Sequence, residues 1–472
     1  MVEAPIRRGY GVVGPDGRHA GRATATALLV AATTAVAVGW RAPLPVVLGA
    51  IVCAGVGRVR VGLLVALLGL VAVGRADSAW AGLTPDHLGH FGGWAHVVDE
   101  PQRSAGAARV ILEIDGERFE VWVRGRAAQQ RVGRWRAGDQ VLVAGERTAL
   151  DDDRRDRVAW QHVVGDFAPD WLSDSRAGAP LAVASNRVRA LVQRGASVLP
   201  ADQAALARGL VIGDDRDQPP DMVQRFRDSG LAHLTAVSGQ NVALLLAAAG
   251  PLLSRARPFA RWALTLAIIG WFVVLTRAEP SVLRAGTMAA LSATAFALGR
   301  EREAVRSLAV AVTVLLLADP LLARSVGFWL SVGATAGVTG IGPALARRLH
   351  RLGPLAMPVA VTLGAQLGVA VPSLLVFGRL SLIGTLANLV AVPVAGLVML
   401  FGLPACLLAG AVPVIAPVVV APVAIGVRWV DAVATVAAAA EPPAPWSWLG
   451  WIVLALAVLS VATLRRRDTP VR

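Results

Sequence analysis

Polar and charged side chains stand directly beside long apolar runs at two places where chemistry is expected. The segment Gly209–Val242 passes from a charged stretch into an apolar one. The segment contains Gly239 and five polar residues of interest: Asp214, His233, Ser238, Gln240 and Asn241. Glu279 and Arg284 open another apolar run. Polar groups at membrane depth are costly unless they line a water-filled cavity or find partners. Both segments therefore indicate a functional site within a membrane.

The composition is that of a polytopic α-helical membrane protein. Hydrophobic residues make up 55% of the 472 residues and charged residues 17%, with a mean hydropathy of +0.58. A soluble chain would carry about a quarter charged residues. The two cysteines, Cys53 and Cys406, lie in apolar runs, which argues against a disulfide framework and against a cysteine-ligated metal.

Long apolar runs predict about twelve transmembrane helices around one soluble insert. Three precede the insert, and the last two of them are short for a bilayer: Ala23–Trp40, Pro43–Gly57 and Val61–Gly74. Nine follow it: Leu231–Leu253, Phe259–Thr276, Ser281–Leu298, Ala304–Ala318, Leu321–Ile341, Pro354–Phe377, Leu382–Gly410, Val412–Val436 and Trp446–Leu464. No amino-terminal signal peptide fits, because the first run is too long and a second follows at once.

Arginine placement predicts the orientation. Arginines crowd the amino terminus, alternate loops and the carboxyl terminus, whereas the intervening loops carry one each, at Arg41, Arg277 and Arg379. This bias places both termini in the cytoplasm and the insert outside. Most of the net charge of +14 is therefore a topology signal rather than a nucleic-acid footprint.

The chain divides into six predicted parts. They are a cytoplasmic tail at residues 1–22, membrane segments at 23–74, an extracytoplasmic domain at 75–180, amphipathic helices at 181–230, a membrane domain at 231–464 and a cytoplasmic tail at 465–472. We expect the amphipathic helices to lie on the outer membrane surface or to brace the extracytoplasmic domain.

Short alternating strands predict a small five-stranded barrel of the OB type within the insert. Asp115-Gly116 joins two of these strands as a hairpin. On the second strand, Trp122 and Arg124 share the outer face, where an exposed tryptophan beside an arginine can stack nucleic-acid bases. Alternatively, a neighbouring strand or the membrane domain covers Trp122.

Three histidines precede the barrel without the spacing of a metal-ligand set: His87, His90 and His96. A solvated linker explains them better than a metal centre does. We therefore predict no metal and no cofactor.

Four separated blocks carry a family resemblance over roughly Gly209–Leu403. The first block comprises Gly213-Asp214, Phe226, Gly230-Leu231, His233 and Ala236-Val237-Ser238-Gly239; the second is Glu279-Pro280-Ser281-Val282-Leu283-Arg284-Ala285; the third is Asp319-Pro320 with Gly327-Phe328-Trp329-Leu330-Ser331; the fourth is Gln366, Pro372, Leu380-Ser381-Leu382, Asn388-Leu389 and Pro393. In this order they resemble the ComEC-type competence membrane proteins. That family passes single-stranded DNA across the bacterial inner membrane, and the resemblance also implies the OB-like barrel.

The resemblance implies a translocation path through these blocks. Its expected residues are Asp214, His233, Ser238, Gly239, Gln240, Asn241, Glu279, Arg284, Ser331, Gln366 and Asn388. We expect six of them to surround one polar cavity: Asp214, His233, Ser238, Asn241, Arg284 and Asn388. Arg284 has two interpretations: an ion pair with Glu279 that holds two helices together, or a cation that meets DNA phosphate within the path.

The chain departs from the family pattern in two ways. Ser238-Gly239-Gln240-Asn241 replaces a common Ser-Gly-Leu-His, so a histidine role cannot be carried onto Asn241. The metallo-β-lactamase-like motif His-x-His-x-Asp-His of many relatives is also missing from this sequence. We therefore expect a non-enzymatic channel for DNA that works with an outer-face DNA receptor, a separate nuclease and a cytoplasmic motor. A transporter or channel for another solute or polyanion, and a membrane assembly factor, are the alternatives.

Overall fold

The structure is a computed structural model that describes residues 15–55, 58–104, 106–235, 239–300, 303–378 and 380–443, with Trp446 and Trp451. Three helices come first: α1 (Pro15–Trp40), α2 (Leu44–Gly55) and α3 (Val59–Ala81). With 12 residues, α2 is about 18 Å long. It packs closely on α3 at Gly69, where a Cβ would lie 2.5 Å from Val46 Cγ1. A glycine is therefore required at this crossing.

The insert forms a closed five-stranded barrel with a short sixth strand. The strands are β1 (Gly89–Val97), β2 (Gln102–Ser104), β3 (Ala107–Ile114), β4 (Glu117–Val123), β5 (Gln140–Ala149) and β6 (Val163–Leu172). They follow the order β1-β5-β6-β4-β3-β2, and β1 also pairs with β3, which closes the barrel. The β4–β6 pairing is parallel and the other pairings are antiparallel. The predicted OB-like barrel is confirmed.

Alternation along the strands builds the barrel core. Phe119, Val121 and Val123 of β4 point inward and are buried, while Trp122 remains 41% exposed on the outer face. Short helix α4 (Arg126–Val132) links β4 to β5. The tight β3–β4 turn has positive φ at Asp115 (52°) and Gly116 (85°), as a two-residue hairpin turn requires.

Helix α5 (Asp152–Val158) packs on β6, and its Val158 packs against the small cluster that contains Ile111 on the outer face of β3. The Asp151 side chain caps this helix by accepting from Arg154 N at 2.6 Å. From α5, Arg154 pairs with Glu120 and with Asp166, and Ile111 is buried in a small apolar cluster nearby. Glu120 faces outward along the strand, yet it is 3% exposed because Arg154 and Arg109 enclose it.

Three helices after the barrel enter the core of the helical domain. These are α6 (Pro180–Ala196), α7 (Ala201–Ile212) and α8 (Pro220–Asp228), followed by the single turn α9 (Ala232–Thr235). Every residue of α7 from 204 to 212 is buried. The sequence places α7 among surface or bracing helices, whereas its apolar residues belong to the main hydrophobic core.

The remaining helices form the rest of this domain. They are α10 (Gly239–Leu253), α11 (Pro258–Leu275), α12 (Pro280–Ala297), α13 (Ala304–Ala318), α14 (Val326–Ala336), α15 (Gly342–Arg348), α16 (Ala356–Phe377), α17 (Gly384–Ala411) and α18 (Ala416–Ala440). A π-helical segment, Gly337–Ile341, joins α14 to α15. Its Gly337 packs directly on α16, where a Cβ would lie 1.9 Å from Gly364 O.

Glycines also bring α6 against the carboxyl end of α17. A Cβ on Gly195 would lie 2.0 Å from Cys406 O, and one on Gly410 would lie 2.1 Å from Leu191 O. Helix α6 also contacts the barrel, since Asn186 Nδ2 donates to Ala137 O at 3.2 Å. The carboxyl end of α17 therefore lies on the side of the helical domain that carries the barrel.

Seven helical stretches among the described residues are long and apolar enough to cross a membrane. They are Gly21–Trp40, Val59–Ala81, Pro258–Leu275, Val326–Arg348, His350–Phe377, Gly384–Ala411 and Pro413–Ala440. Three shorter apolar helical stretches accompany them: Leu44–Cys53, Gly239–Leu253 and Ala304–Ala318. A polytopic helical membrane protein is thus confirmed, while the count of about twelve spans stays a prediction. The predicted span Trp446–Leu464 lies almost wholly outside the described residues.

Candidate functional site

A network of buried charges joins the barrel to the helical domain. Glu100, which follows β1, forms ion pairs with Arg216 and Arg277. Its carboxylate oxygens lie 2.6 Å from Arg216 Nη1 and 2.8 Å from Arg277 Nη2. Arg189 of α6 lies 3.5 Å from the same carboxylate, and Arg136 of the barrel lies 3.8 Å away. One barrel carboxylate therefore meets arginines from α6, from the loop after α7 and from the α11–α12 loop. We call these residues, together with Asp214, the junction network.

Asp214, predicted to line the translocation path, belongs to the junction network, and its role in the path stays a prediction. Arg216 Nε and Nη2 donate to its two carboxylate oxygens at 2.7 and 2.8 Å, and Arg189 Nη2 lies 3.7 Å away. Burial alone would raise the pKa of Asp214, but the hydrogen bonds and charge of Arg216, with the charges of Arg189 and Arg208, hold this pKa well below its ordinary value. Asp214 is therefore ionised and fixed.

Three further carboxyl groups lie near the junction network. Burial raises the pKa of Glu279 to about 7, and the neighbouring Asp99 and Asp215 add like charge. The pKa values of Asp99 and Asp215 are also raised, chiefly by burial. The Glu279 side chain itself is exposed. These carboxyl groups lie at the barrel side of the helical domain, where α12 begins.

Arg284 lies one turn into α12 and is 5% exposed. Its Nε donates to Ser331 Oγ on α14 at 2.7 Å, and its Nη1 lies 3.3 Å from Met288 Sδ. A Cβ on Gly239, the first residue of α10, would lie 2.7 Å from Arg284 Nη2. Residues from three of the four sequence blocks therefore meet at one point. We call Gly239, Arg284 and Ser331 the arginine site.

Glu279 does not pair with Arg284. Within the described part of the chain, the polar contacts of the Arg284 guanidinium are with Ser331 and Met288, and no carboxylate lies within ion-pair distance of it. The interpretation of Arg284 as half of an internal ion pair with Glu279 is therefore not what the structure shows.

The other predicted path residues are dispersed over several helices. Gln240 Nε2 would lie 3.1 Å from a Cβ on Gly396 of α17. Asn241 Nδ2 donates to Leu210 O at 3.3 Å, and Asn388 Nδ2 donates to Gly384 O at 2.7 Å. His233 on α9 has an exposed side chain, and Gln366 on α16 is half-buried. Ser238 lies outside the described residues. The six residues expected around one cavity are thus brought together only in part, and their roles stay predictions.

On the barrel, Trp122 is exposed, so the alternative that a neighbouring strand covers it does not hold. Trp122 stands opposite Arg109 of β3, and Arg124 is exposed beyond it. His87 Nδ1 lies 3.3 Å from Glu117. Among the described residues, no group of three or more histidine, cysteine, aspartate or glutamate side chains could hold a metal ion.

Sequence reasoning overlooked two carboxylates, Glu100 and Glu441. Glu441, just after α18, accepts from Ser381 Oγ at 2.8 Å and from the backbone nitrogens of Leu382 and Ile383 at 2.8 and 2.9 Å. It therefore caps the approach to α17 and explains why Ser381 of the fourth block is polar. The partners are 60 residues apart in the chain, so no local pattern links them.

The match to one family model spans the part of the chain that holds the arginine site. A family model described as "Competence protein" matches residues 210–467. ComE operon protein 3 of Bacillus subtilis (strain 168) is 29% identical over 200 residues, which cover 42% of this chain and 25% of that protein. Competence protein ComA of Neisseria gonorrhoeae is 32% identical over 203 residues, covering 41% of this chain and 28% of ComA.

An uncharacterized protein, YcaI of Escherichia coli (strain K12), is 27% identical over 224 residues, covering 44% of this chain and 29% of YcaI. Each alignment thus spans less than a third of the relative's length. No solved structure matches the chain. Because the family model covers more than half of the 472 residues, the chain belongs to the competence protein family.

Proposed function

We propose that this membrane protein is a conduit that passes single-stranded DNA inward across the cytoplasmic membrane. Membership of the competence family supports a role in DNA uptake. The observation that carries the finer proposal is the arginine site, where Gly239, Arg284 and Ser331 of three separate sequence blocks meet inside the helical domain.

The arginine site addresses the main physical obstacle to moving DNA through a membrane. Each nucleotide carries one phosphate charge, and an unneutralised charge in a low-dielectric interior is expensive. Arg284 offers a compensating charge inside the helical domain, and Ser331 holds its guanidinium in place. A DNA strand could then pass as its successive phosphates bind the Arg284 guanidinium one after another.

The barrel and the carboxyl groups around Glu279 would form the outer approach to the conduit. The junction network fixes the barrel over the end of the helical domain where α12 begins. Exposed Trp122 and Arg124 of the barrel could contact bases before the strand enters. In this proposal both termini are cytoplasmic. An outer-face DNA receptor, a separate nuclease and a cytoplasmic DNA motor supply the steps that this chain does not catalyse.

A conduit for another polyanion is the second candidate, because the arginine site would neutralise any phosphate-bearing chain. Transformation frequency in a clean deletion strain, complemented by the intact gene, separates the two. We expect the deletion to abolish transformation and the intact gene to restore it. Unchanged transformation in the deletion strain would overturn DNA uptake as the function and favour the other polyanion.

A further inference from the structure

We propose that the charged face of α8, together with Arg428 of α18, lines a water-filled vestibule that reaches about half-way into the membrane from the side opposite the barrel. The vestibule is inferred from the packing, depth and exposure of these two helices. That a DNA strand leaves through it rests on the proposed function, which the inference deepens by naming the surface that the strand meets after the arginine site.

Helix α8 divides into a buried apolar face and an exposed charged face. Met222 and Phe226 are each 1% exposed and belong to the main hydrophobic core. On the other side of this helix, Asp221, Gln224 and Arg227 are exposed. Such a helix places its apolar stripe against the core and its polar stripe toward water. The charged face of α8 is therefore an outer surface of the helical domain.

This charged face lies beside a helix that is suited to lipid. Helix α8 packs on α18, and Arg225 Nη2 lies 3.4 Å from Asp431 Oδ1 of α18. Helix α18 has 25 residues and belongs to a stretch that is long and apolar enough to cross a membrane. Its Val418, Ile425 and Val436 are largely exposed, as expected for a helix in contact with lipid.

Contacts at the ends of α17 and α18 fix the depth of α8. Glu441, directly after α18, accepts from the backbone nitrogens of Leu382 and Ile383, directly before α17. The start of α17 and the end of α18 therefore share one level, which lies opposite the barrel because the carboxyl end of α17 lies on the barrel side. Gly230, just after α8, reaches the same level, since a Cβ on it would lie 3.1 Å from Gly384 Cα.

Arg428 extends the charged surface to the centre of the membrane. It is the middle residue of α18 and is exposed. Asp431 precedes Glu441 by about ten residues, so it lies about 15 Å from the level opposite the barrel, which is half of a hydrocarbon core of about 30 Å. Residues three apart lie on the same side of a helix, so Arg428 stands beside the Arg225–Asp431 pair.

Water accounts for these exposed charges at membrane depth. A charged side chain within a membrane faces a water-filled cavity or a partner, because hydrocarbon cannot solvate it. Arg428 on α18 and Arg227 on α8 are both exposed, and they belong to neighbouring helices that pack on each other. One aqueous space along the α8–α18 seam would solvate both side chains.

The balance of charge suits a passage better than a tight binding site. Arg225 pairs with Asp221 and with Asp431, whereas Arg227 and Arg428 are exposed cations. These two arginines would attract phosphates, and the nearby carboxylates would keep the attraction weak enough for the strand to move on. Contacts with the phosphate backbone carry no base information, so the vestibule would accept any sequence.

Cysteine accessibility in the full-length protein tests the vestibule. Gln224→Cys, Arg227→Cys and Arg428→Cys are introduced singly. A thiol reacts as its thiolate, and this charged form requires water, so a charged thiol reagent should modify these positions faster than a lipid-facing cysteine by on the order of tenfold or more. Ile425→Cys and Val436→Cys are the matched controls, because they lie on the exposed apolar side of the same α18.

Ala127→Cys on the exposed surface of the barrel marks the barrel side in the same experiment. We expect a membrane-impermeant reagent to modify the vestibule cysteines only when it is presented on the side where Ala127→Cys does not react. Modification from the side of Ala127→Cys would overturn the opening opposite the barrel. Equal rates for Gln224→Cys and Ile425→Cys would overturn the water-filled space. Gln224→Cys removes no charge, so it remains informative if Arg428→Cys fails to insert.

A short oligothymidine, added on the open side, separates this inference from the proposed function. We expect it to slow the modification of Arg227→Cys, and unchanged rates would overturn the passage of DNA through the vestibule. If the cysteines react as expected while the deletion strain transforms normally, the vestibule stands and DNA uptake fails. If the deletion abolishes transformation while Gln224→Cys reacts no faster than Ile425→Cys, the conduit stands and the vestibule fails.

Discussion

Asp214 determines the stability of the junction between barrel and helices. Replacing it with asparagine keeps the volume but removes the charge that offsets Arg216 and Arg189. Breaking a buried ion pair by removing one partner costs about 3–5 kcal/mol. We therefore expect Asp214→Asn to lower the free energy of unfolding by roughly 3 kcal/mol, as measured by thermal unfolding in detergent.

Asp221→Asn is the matched control for this change. Asp221 also pairs with an arginine, Arg225, but its side chain is 72% exposed and the pair lies on the surface of α8. Exposed ion pairs contribute little to stability. Equal stabilities of the two variants would show that the junction network does not hold the barrel in place.

Glu279 should make stability depend on pH. Its pKa is raised from 4.5 to about 7, so the fold favours the neutral carboxyl. The associated stabilisation is complete below the ordinary pKa and is lost as the pH rises through about 7. Glu279→Gln mimics the neutral form and should therefore gain stability over the intact protein above this pH, and gain little below the ordinary pKa.

Unfolding midpoints of both proteins across this pH range check the prediction. The nearby Asp99 and Asp215 titrate in the same direction, and Arg277 lies on the same loop as Glu279, so a smaller pH dependence should persist in the variant. An advantage of Glu279→Gln that appears only at low pH would contradict the assignment.

Glu279 and Arg284 should behave as independent residues. Since they form no ion pair, adding Glu279→Ala to Arg284→Ala should not restore the expression or the transformation that Arg284→Ala loses. The coupling free energy from a double-mutant cycle should be within about 0.5 kcal/mol of zero. Recovery of both properties in the double variant would instead establish the internal pair and remove Arg284 from the path.

At the scale of elements, glycine contacts set how closely the helices pack. Gly337 of the π-helical segment faces Gly364 of α16, and a Cβ there would meet Gly364 O at 1.9 Å. Gly337→Ala should destabilise the protein by roughly 1–3 kcal/mol through overpacking. Gly340→Ala is the control, because nothing lies within 4 Å of a Cβ at Gly340. Similar unfolding midpoints for the two variants would refute the close helix contact.

The barrel could be predicted from sequence because its signals are local. Alternating apolar residues gave the inward face of β4, and Asp115-Gly116 gave the turn. The cover that α5 places on the outer face could not be predicted in this way. It depends on Arg154 reaching Glu120, which is 34 residues away, and no period in the sequence encodes that contact.

The junction network and the burial of α7 were likewise beyond local reasoning. Glu100 and Arg277 are 177 residues apart, and each is an ordinary charged residue within its own segment. The amphipathic period of α6 predicted one apolar face but not which helix it would meet. The arginine site could be approached more closely, because the sequence blocks named Gly239, Arg284 and Ser331 without showing that they touch.

At the scale of the whole molecule, contacts predict which loops share a side of the membrane. Helix α12 starts beside the barrel and runs 18 residues away from it, so Arg300 should lie opposite the barrel. The carboxyl end of α17 packs on α6, so Val414, which is 91% exposed just beyond it, should lie on the barrel side. If every predicted span crossed the membrane in turn, Val414 would lie on the same side of the membrane as Arg300.

Cysteine labelling in intact cells tests this arrangement, because the native Cys53 and Cys406 are buried. We expect a membrane-impermeant reagent to label Ala127→Cys on the barrel and Val414→Cys, but not Arg300→Cys until the cells are lysed. Labelling of Val414→Cys only after lysis would show instead that the carboxyl end of α17 lies on the side opposite the barrel.

The junction network also limits how the barrel can be exchanged between relatives. Glu100 is the barrel's own carboxylate, whereas Arg189, Arg216 and Arg277 belong to the helical domain. A chimaera with a foreign barrel that lacks this carboxylate would leave Asp214 as the remaining carboxylate for Arg189 and Arg216, and Arg277 would lose its ion pair. Barrel and helical domain should therefore be inherited, and engineered, as a matched pair.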